Sequence, residues 1–254
     1  PVLGNSINSG SNSNIAGGCL NEISSAADCS SILGGYANIN SGSYSSIIGG
    51  KTNCVTGNYS SAGGSGSIAS GDYSFAFGGP ETNPAGTLGT TSAVGSYSVA
   101  FGFGTCASGS DAFAMGHYNV AAGHGVQALG YKAYAGIAGQ DPDLHRGNTA
   151  IGCQVTASGQ SSLALGSQNT SLGHCSAVLG GHLNCTTGIL STVAGGTLNT
   201  AISACSFIGG GDTNCVTGAN AAIMAGQENY SCGRCSITSG YKNRNEGNFT
   251  TVMG

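Results

Sequence analysis

A chain of 254 residues with 47 glycines, no tryptophan, six Lys and Arg and ten Asp and Glu lacks the composition of an ordinary globular enzyme. A net charge of −4 with so few basic side chains argues against nucleic acid or an anionic membrane as partner. No apolar run approaches the ~20 residues of a spanning helix, so membrane insertion is not expected.

Read in chain order, glycines that end short apolar runs recur at intervals of 14 or 15 residues almost everywhere. They are Gly17, Gly34, Gly49, Gly64, Gly78, Gly102, Gly116, Gly130, Gly152, Gly166, Gly180, Gly195 and Gly210, followed by Ala225, Ser239 and Gly254 at the same interval. Two residues before each stands an apolar side chain: Ile15, Ile32 and Ile47, then Ala62 through Ala164, then Val178, Val193, Ile208, Ile223, Ile237 and Val252. Two residues earlier again, serine dominates, as at Ser30, Ser45, Ser60, Ser98, Ser162, Ser176 and Ser206, with Val126 and Cys235 among the exceptions. Ser, apolar and Gly at alternate positions give a period of two, so each run is a strand with one face inward. Helix is disfavoured, because each interior glycine costs about 0.5–1 kcal/mol relative to Ala.

The expected architecture is all-β: a parallel β-solenoid of 14–15-residue coils. One repeat domain of about 16 coils fills residues 1–254. A second glycine midway through the coil, as at Gly42, Gly57, Gly109, Gly159 and Gly188, predicts a tight corner with φ > 0 there. The 15-residue coils read G-G-x-x-N and carry Asn21, Asn38, Asn53, Asn184, Asn199, Asn214, Asn229 and Asn243. Stacked coils place these amides roughly 4.8 Å apart, where they either form a hydrogen-bonded ladder or serve as left-handed turn residues.

The residue just before each anchor is often large and apolar: Leu33, Ile48, Phe77, Phe101, Met115, Leu129, Ile151, Leu165, Leu179, Met224 and Met253. Alternation points these away from the coil interior. A coil this thin encloses few apolar atoms, so further copies of the chain are expected to cover that outer row in a closed oligomer.

The central coils read S-x-A-x-G-x-x-x-x-A-x-G, as in Ser98, Ala100, Gly102, Ala107 and Gly109. This pattern resembles the YadA-like head repeats of trimeric autotransporter adhesins. It is also similar to repeats of phage tail fibres and large-virus fibres, where the G-G-x-x-N variant is at home. The resemblance implies a left-handed β-roll, an intertwined or side-by-side homotrimer, and an extracellular or virion-surface location. An autotransporter adhesin further requires a heptad stalk and a membrane anchor, and these 254 residues contain neither.

Eleven cysteines separate the readings. Cys175, Cys205 and Cys235 recur two coils apart, roughly 9.6 Å, beyond the ~7 Å Cα separation that a disulfide tolerates. They are expected to be free thiols packed as small apolar groups, which suits assembly in a reducing cytosol. That favours a viral or phage fibre for host attachment. The alternatives are the head of a bacterial surface adhesin and a purely structural filament or spacer.

Insertions interrupt the count at about 79–92 and 131–148. Loops leaving a rigid scaffold are where binding residues concentrate. In the second, Tyr134, Asp141, Asp143, His145 and Arg146 are candidates for contact with a host-surface glycan or protein. Asp141, Asp143 and His145 also form a weaker candidate cation site. Cys232-Gly-Arg-Cys235 is a lone CxxC without the second pair of a zinc ribbon. No nucleophile elbow, carboxylate pair or phosphate-cradling loop is present, so no catalytic residue, cofactor or metal is assigned.

Overall fold

In a computed structural model, residues 4–7, 11–24, 26–79, 81–82, 88–136 and 146–254 are described. They contain strands and turns and no helix. The chain divides into two compact units, 1–125 and 126–254.

Each unit is a parallel β-solenoid with two strands per coil. In unit 1 one sheet runs from Asn14–Ile15 to Phe113–His117, and the other from Ser6–Ile7 to Val120–Ala121. In unit 2 the corresponding sheets run from Gln127–Tyr131 to Thr251–Met253 and from Tyr134–Ala135 to Arg244–Asn245. Successive coils stack in register, so Ala62, Ala76 and Ala100 are neighbours, as are Gly64, Gly78 and Gly102.

The inward column lies where the period of two places it. Ile32, Ile47, Ala62, Ala76, Ala100, Ala114, Ala128, Ala150, Ala164, Val178, Val193, Ile208 and Ile223 are all 0% exposed. The opposite sheet supplies a second inward column, including Ile23, Val55, Ala69, Ala107, Ala157, Ala201 and Val216. Serines of the third column are buried, and several are satisfied: Ser176 Oγ meets Ser171 Oγ at 2.7 Å across the coil, and Ser191 Oγ donates to Gly188 O, while Ser98 Oγ and Ser162 Oγ have no partner.

Register fails the sequence count at one place. Ile237 is 39% exposed, whereas Thr238 is buried and pairs with Ile223. The glycine of that coil is Gly240, not Ser239, and the buried serine is Ser236, not Cys235. The cause is a bulge. Ile223 aligns with Thr238 and Gly226 with Gly240, leaving one extra residue in the 15-residue coil, as between Ile47 and Gly50. In a Gly-Gly pair, the second glycine keeps the register. A Cβ on Gly35 (φ +102°) would lie 2.1 Å from Gly50 O, and one on Gly240 would meet Gly254 O at 1.6 Å. The first glycine faces open space at Gly17, Gly49, Gly180, Gly195 and Gly210, which explains why Ala225 is tolerated there.

The midway glycines also differ from expectation. Gly42, Gly57, Gly109, Gly159 and Gly188 do not adopt positive φ. They are glycine because the next coil passes too close: a Cβ on Gly42 would sit 2.0 Å from Gly57 O. The left-handed residue falls two positions later, at Tyr44, Tyr59, Asp111, Ser161 and Leu190. The asparagines form the ladder, and the left-handed residue is the one before each, such as Leu183, Leu198 and Thr213. Asn199 Nδ2 donates to Gly195 O and Gly211 O, both at 3.0 Å, while Asn199 Oδ1 accepts the Asn214 amide N–H and Nδ2–H at 3.0 Å.

The cysteines are free thiols, but they are not packed as core residues. Cys29, Cys153, Cys175 and Cys205 are exposed and the other seven are half-buried. Those at 29, 175, 205 and 235 occupy the left-handed corner, whose side chain points out of the coil.

Candidate functional site

The first insertion begins as a short antiparallel pair, Glu81–Thr82 against Leu88–Gly89. At the second, Tyr134 opens the last strand described before the insertion, Tyr134–Ala135, and Arg146 is the first residue described after it. Tyr134 is 41% exposed, its strand pairs with Thr156–Ala157, and its N–H donates to Val155 O at 2.9 Å. Arg146 is exposed, and its carbonyl accepts the Ser161 N–H at 2.8 Å. Asp141, Asp143 and His145, with their candidate cation site, lie outside the described residues. The two described candidates are therefore held by backbone bonds to the next coil while their side chains face outward.

Nearby, Lys132 lies over the Tyr131 ring at 5.2 Å. The same Tyr-Lys pairing recurs at Tyr241 and Lys242, 5.0 Å apart, where Lys242 also pairs with Glu228 at 3.5 Å. Among the described residues no cluster of three or more His, Cys, Asp or Glu could hold a metal. In the lone CxxC, Cys232 Sγ contacts Asn245 O at 3.5 Å and both thiols are free.

The outer apolar row runs along each unit with gaps, at Gly63 in unit 1 and at Ala194 and Gly209 in unit 2. In unit 1, Leu33 (58% exposed), Ile48 and Phe101 belong to it, with Phe77 aligned on Phe101 and Phe101 on Met115. The Phe77 ring lies across Gly63, where a Cβ would meet it at 2.5 Å, and stacks on Phe101 at 5.7 Å. In unit 2, Leu129, Ile151 and Leu165 align in consecutive coils, with Leu179 and Met224 further along. Exposed apolar rows of this length mark interaction surfaces.

In each unit the other sheet presents half-buried cysteines at the equivalent outward position, Cys54 and Cys106 in unit 1 and Cys185 and Cys215 in unit 2. Burial raises the pKa of each thiol above its ordinary value; at Cys106 a hydrogen bond with Ser108 opposes the rise. These thiols are therefore weaker nucleophiles at neutral pH than ordinary cysteines.

One feature of unit 1 escaped the sequence reading. Tyr44, Tyr59, Tyr73 and Tyr97 occupy the left-handed corner of consecutive coils, with φ between 55° and 58°. Their rings stack at 5.0, 4.9 and 4.9 Å with interplanar angles of 3–4°. Each is at least half exposed. In the sequence the row shows as G-x-Y at Gly42, Gly57, Gly71 and Gly95, where the left-handed residue is the tyrosine and not the glycine. Stacking contributes about 0.5–1.5 kcal/mol per pair and offsets the strain of a non-glycine left-handed residue.

Two segments, 56–79 and 157–176, each match the YadA head domain repeat. A search of curated proteins gave no match. The first segment spans the coil of Tyr59 and Tyr73, and the second the coil of Ala164, so the repeat is present in both units.

Proposed function

We propose that this chain is a segment of a homotrimeric surface fibre that attaches to a host cell, with a viral or phage fibre as the preferred setting. The observation that carries it is the outer apolar row. Leu33, Ile48, Phe101 and Met115 in unit 1, and Ile151 and Leu179 in unit 2, are 40–58% exposed, although within each unit they stand on one face of a sheet. Water contact along such a row is unfavourable by roughly 25 cal/mol per Å², and a cyclic oligomer removes it using one self-complementary surface per chain. The YadA head domain repeats support the adhesin-type reading, since heads of that kind are trimeric.

The fibre works as a scaffold. Backbone ladders hold every coil, and the second insertion projects Tyr134 and Arg146 for a glycan or protein receptor. Free, exposed thiols favour a chain assembled in a reducing cytosol and then carried to a virion surface. The bacterial adhesin head remains the second reading, favoured by the family match itself. A spacer without receptor is the third.

Binding of fluorescently labelled protein to candidate host cells tests the attachment surface. Tyr134→Ala with Arg146→Ala is expected to weaken binding about tenfold, equivalent to ~1.4 kcal/mol. Binding that persists unchanged in this double variant contradicts the role given to the insertion and moves attachment elsewhere on the chain, whereas an unmodified chain that binds no host cell leaves the spacer reading in its place.

A further inference from the structure

The geometry points to the corner of unit 1 as a site of oxidative cross-linking, where neighbouring tyrosines couple to dityrosine along the fibre edge. Three observations combine. The four rings are half exposed, at 50–59%, so an external oxidant reaches their hydroxyls and ring edges. They are nearly parallel and 4.9–5.0 Å apart, so equivalent ring carbons on adjacent coils already face one another. Their backbones are fixed, because each left-handed amide donates to the preceding coil: Tyr44 N to Asp28 O, Tyr59 N to Ser43 O, Tyr73 N to Asn58 O and Tyr97 N to Asp72 O, all 2.8–2.9 Å. Only the side-chain torsions need to move for two ortho carbons to meet.

The chemistry requires a one-electron oxidant, here a haem peroxidase supplied with hydrogen peroxide. Each phenol loses one electron and one proton and becomes a phenoxyl radical, with spin density on the ortho carbons. Two such radicals on adjacent coils form a Cε–Cε bond. The two ortho hydrogens then leave as the rings recover aromaticity and the oxygens are reprotonated. In sum, two tyrosines and one hydrogen peroxide give one dityrosine and two waters. Fixed neighbours couple in preference to radicals on separate molecules because their effective concentration is far higher. The link joins residues 14 to 24 apart in sequence and so covalently closes coils otherwise held by hydrogen bonds.

The other tyrosines supply the internal control. Tyr36 and Tyr230 are each packed beside a cation, Lys51 at 5.9 Å and Arg244 at 5.0 Å. The experiment treats the full chain at low concentration with a haem peroxidase and limiting peroxide, then maps products by tandem mass spectrometry. The expected result is loss of two hydrogens per link, with dityrosine confined to Tyr44–Tyr59, Tyr59–Tyr73 and Tyr73–Tyr97. The double variant Tyr59→Phe with Tyr73→Phe keeps the stacked rings and the fold, leaves no two adjacent phenols in the row, and should lose the intramolecular product. Three results would overturn the proposal: links spread equally over Tyr36 and Tyr230, an undiminished yield in the double variant, or no link while free tyrosine couples in the same tube.

Discussion

Coils carrying the asparagine ladder and coils of the alanine-rich stretch solve one problem in two ways. Along Asn184, Asn199 and Asn214, each buried amide binds its own coil's turn and both neighbouring coils, and Asn229 binds both neighbours. From Gly63 to Ala107 the same interior position holds Ser67, Thr91 and Thr105. Ser67 and Thr91 still reach Gly63 O and Gly102 O, but Thr105 Oγ1 and the nearby Ser98 Oγ have no partner. The ladder does not depend on the extra residue of a Gly-Gly pair: Asn169 stands in a 14-residue alanine coil and still donates to Gly180 O and Gly181 O while accepting the Asn184 N–H. Polar satisfaction thus follows the residue at this interior position, amide or hydroxyl, rather than coil length.

The largest expected break in this comparison is steric. Gly196→Ala places a Cβ 2.1 Å from Gly211 O at φ +89° and should lower stability by about 3 kcal/mol. Gly195→Ala, one residue away and facing open space, should stay within about 0.5 kcal/mol. Denaturant unfolding of the two variants distinguishes them. Equal effects would mean that close coil approach does not set the register.

Next comes the ladder itself. Asn199→Ala leaves the Asn214 N–H and the carbonyls of Gly195 and Gly211 short of a partner and should cost roughly 2–3 kcal/mol. Thr105→Val removes a hydroxyl that has no partner and should be neutral or stabilising by up to about 1 kcal/mol. Melting curves for both variants give the contrast, and a Thr105→Val loss as large as that of Asn199→Ala would sink it.

The smallest effect concerns pH. Burial raises the thiols of Cys54, Cys106, Cys185 and Cys215 above the ordinary value of 9.0. In the folded state they keep their protons when the unfolded thiols ionise. Stability from this source is therefore full below about 9.0 and falls as pH rises past it. Alkylation followed by mass spectrometry should label the exposed Cys175 and Cys205 before these four at pH 8 to 9.

The inward columns were legible in the sequence because a thin coil leaves no freedom: each such position meets its own equivalent in the next coil. Ile237 shows the limit. It is apolar and correctly spaced from Ala225, yet it faces outward, because register follows the second glycine, Gly240, which must clear Gly254 O. The tyrosine row was illegible for a related reason. Left-handed φ belongs to Tyr44, Tyr59, Tyr73 and Tyr97, whose own hydrogen bonds and stacking sustain it, while the glycines two positions earlier answer to close contact. Of the candidate attachment residues, Tyr134 and Arg146 were locatable because they sit where the repeat stops and resumes, positions fixed by the scaffold.

The central claim is that the outer apolar row requires other copies of the chain. Light scattering coupled to size exclusion at micromolar concentration tests it directly. The account predicts a folded species of three times the 24.6 kDa chain mass, and a folded monomer of 24.6 kDa would contradict it.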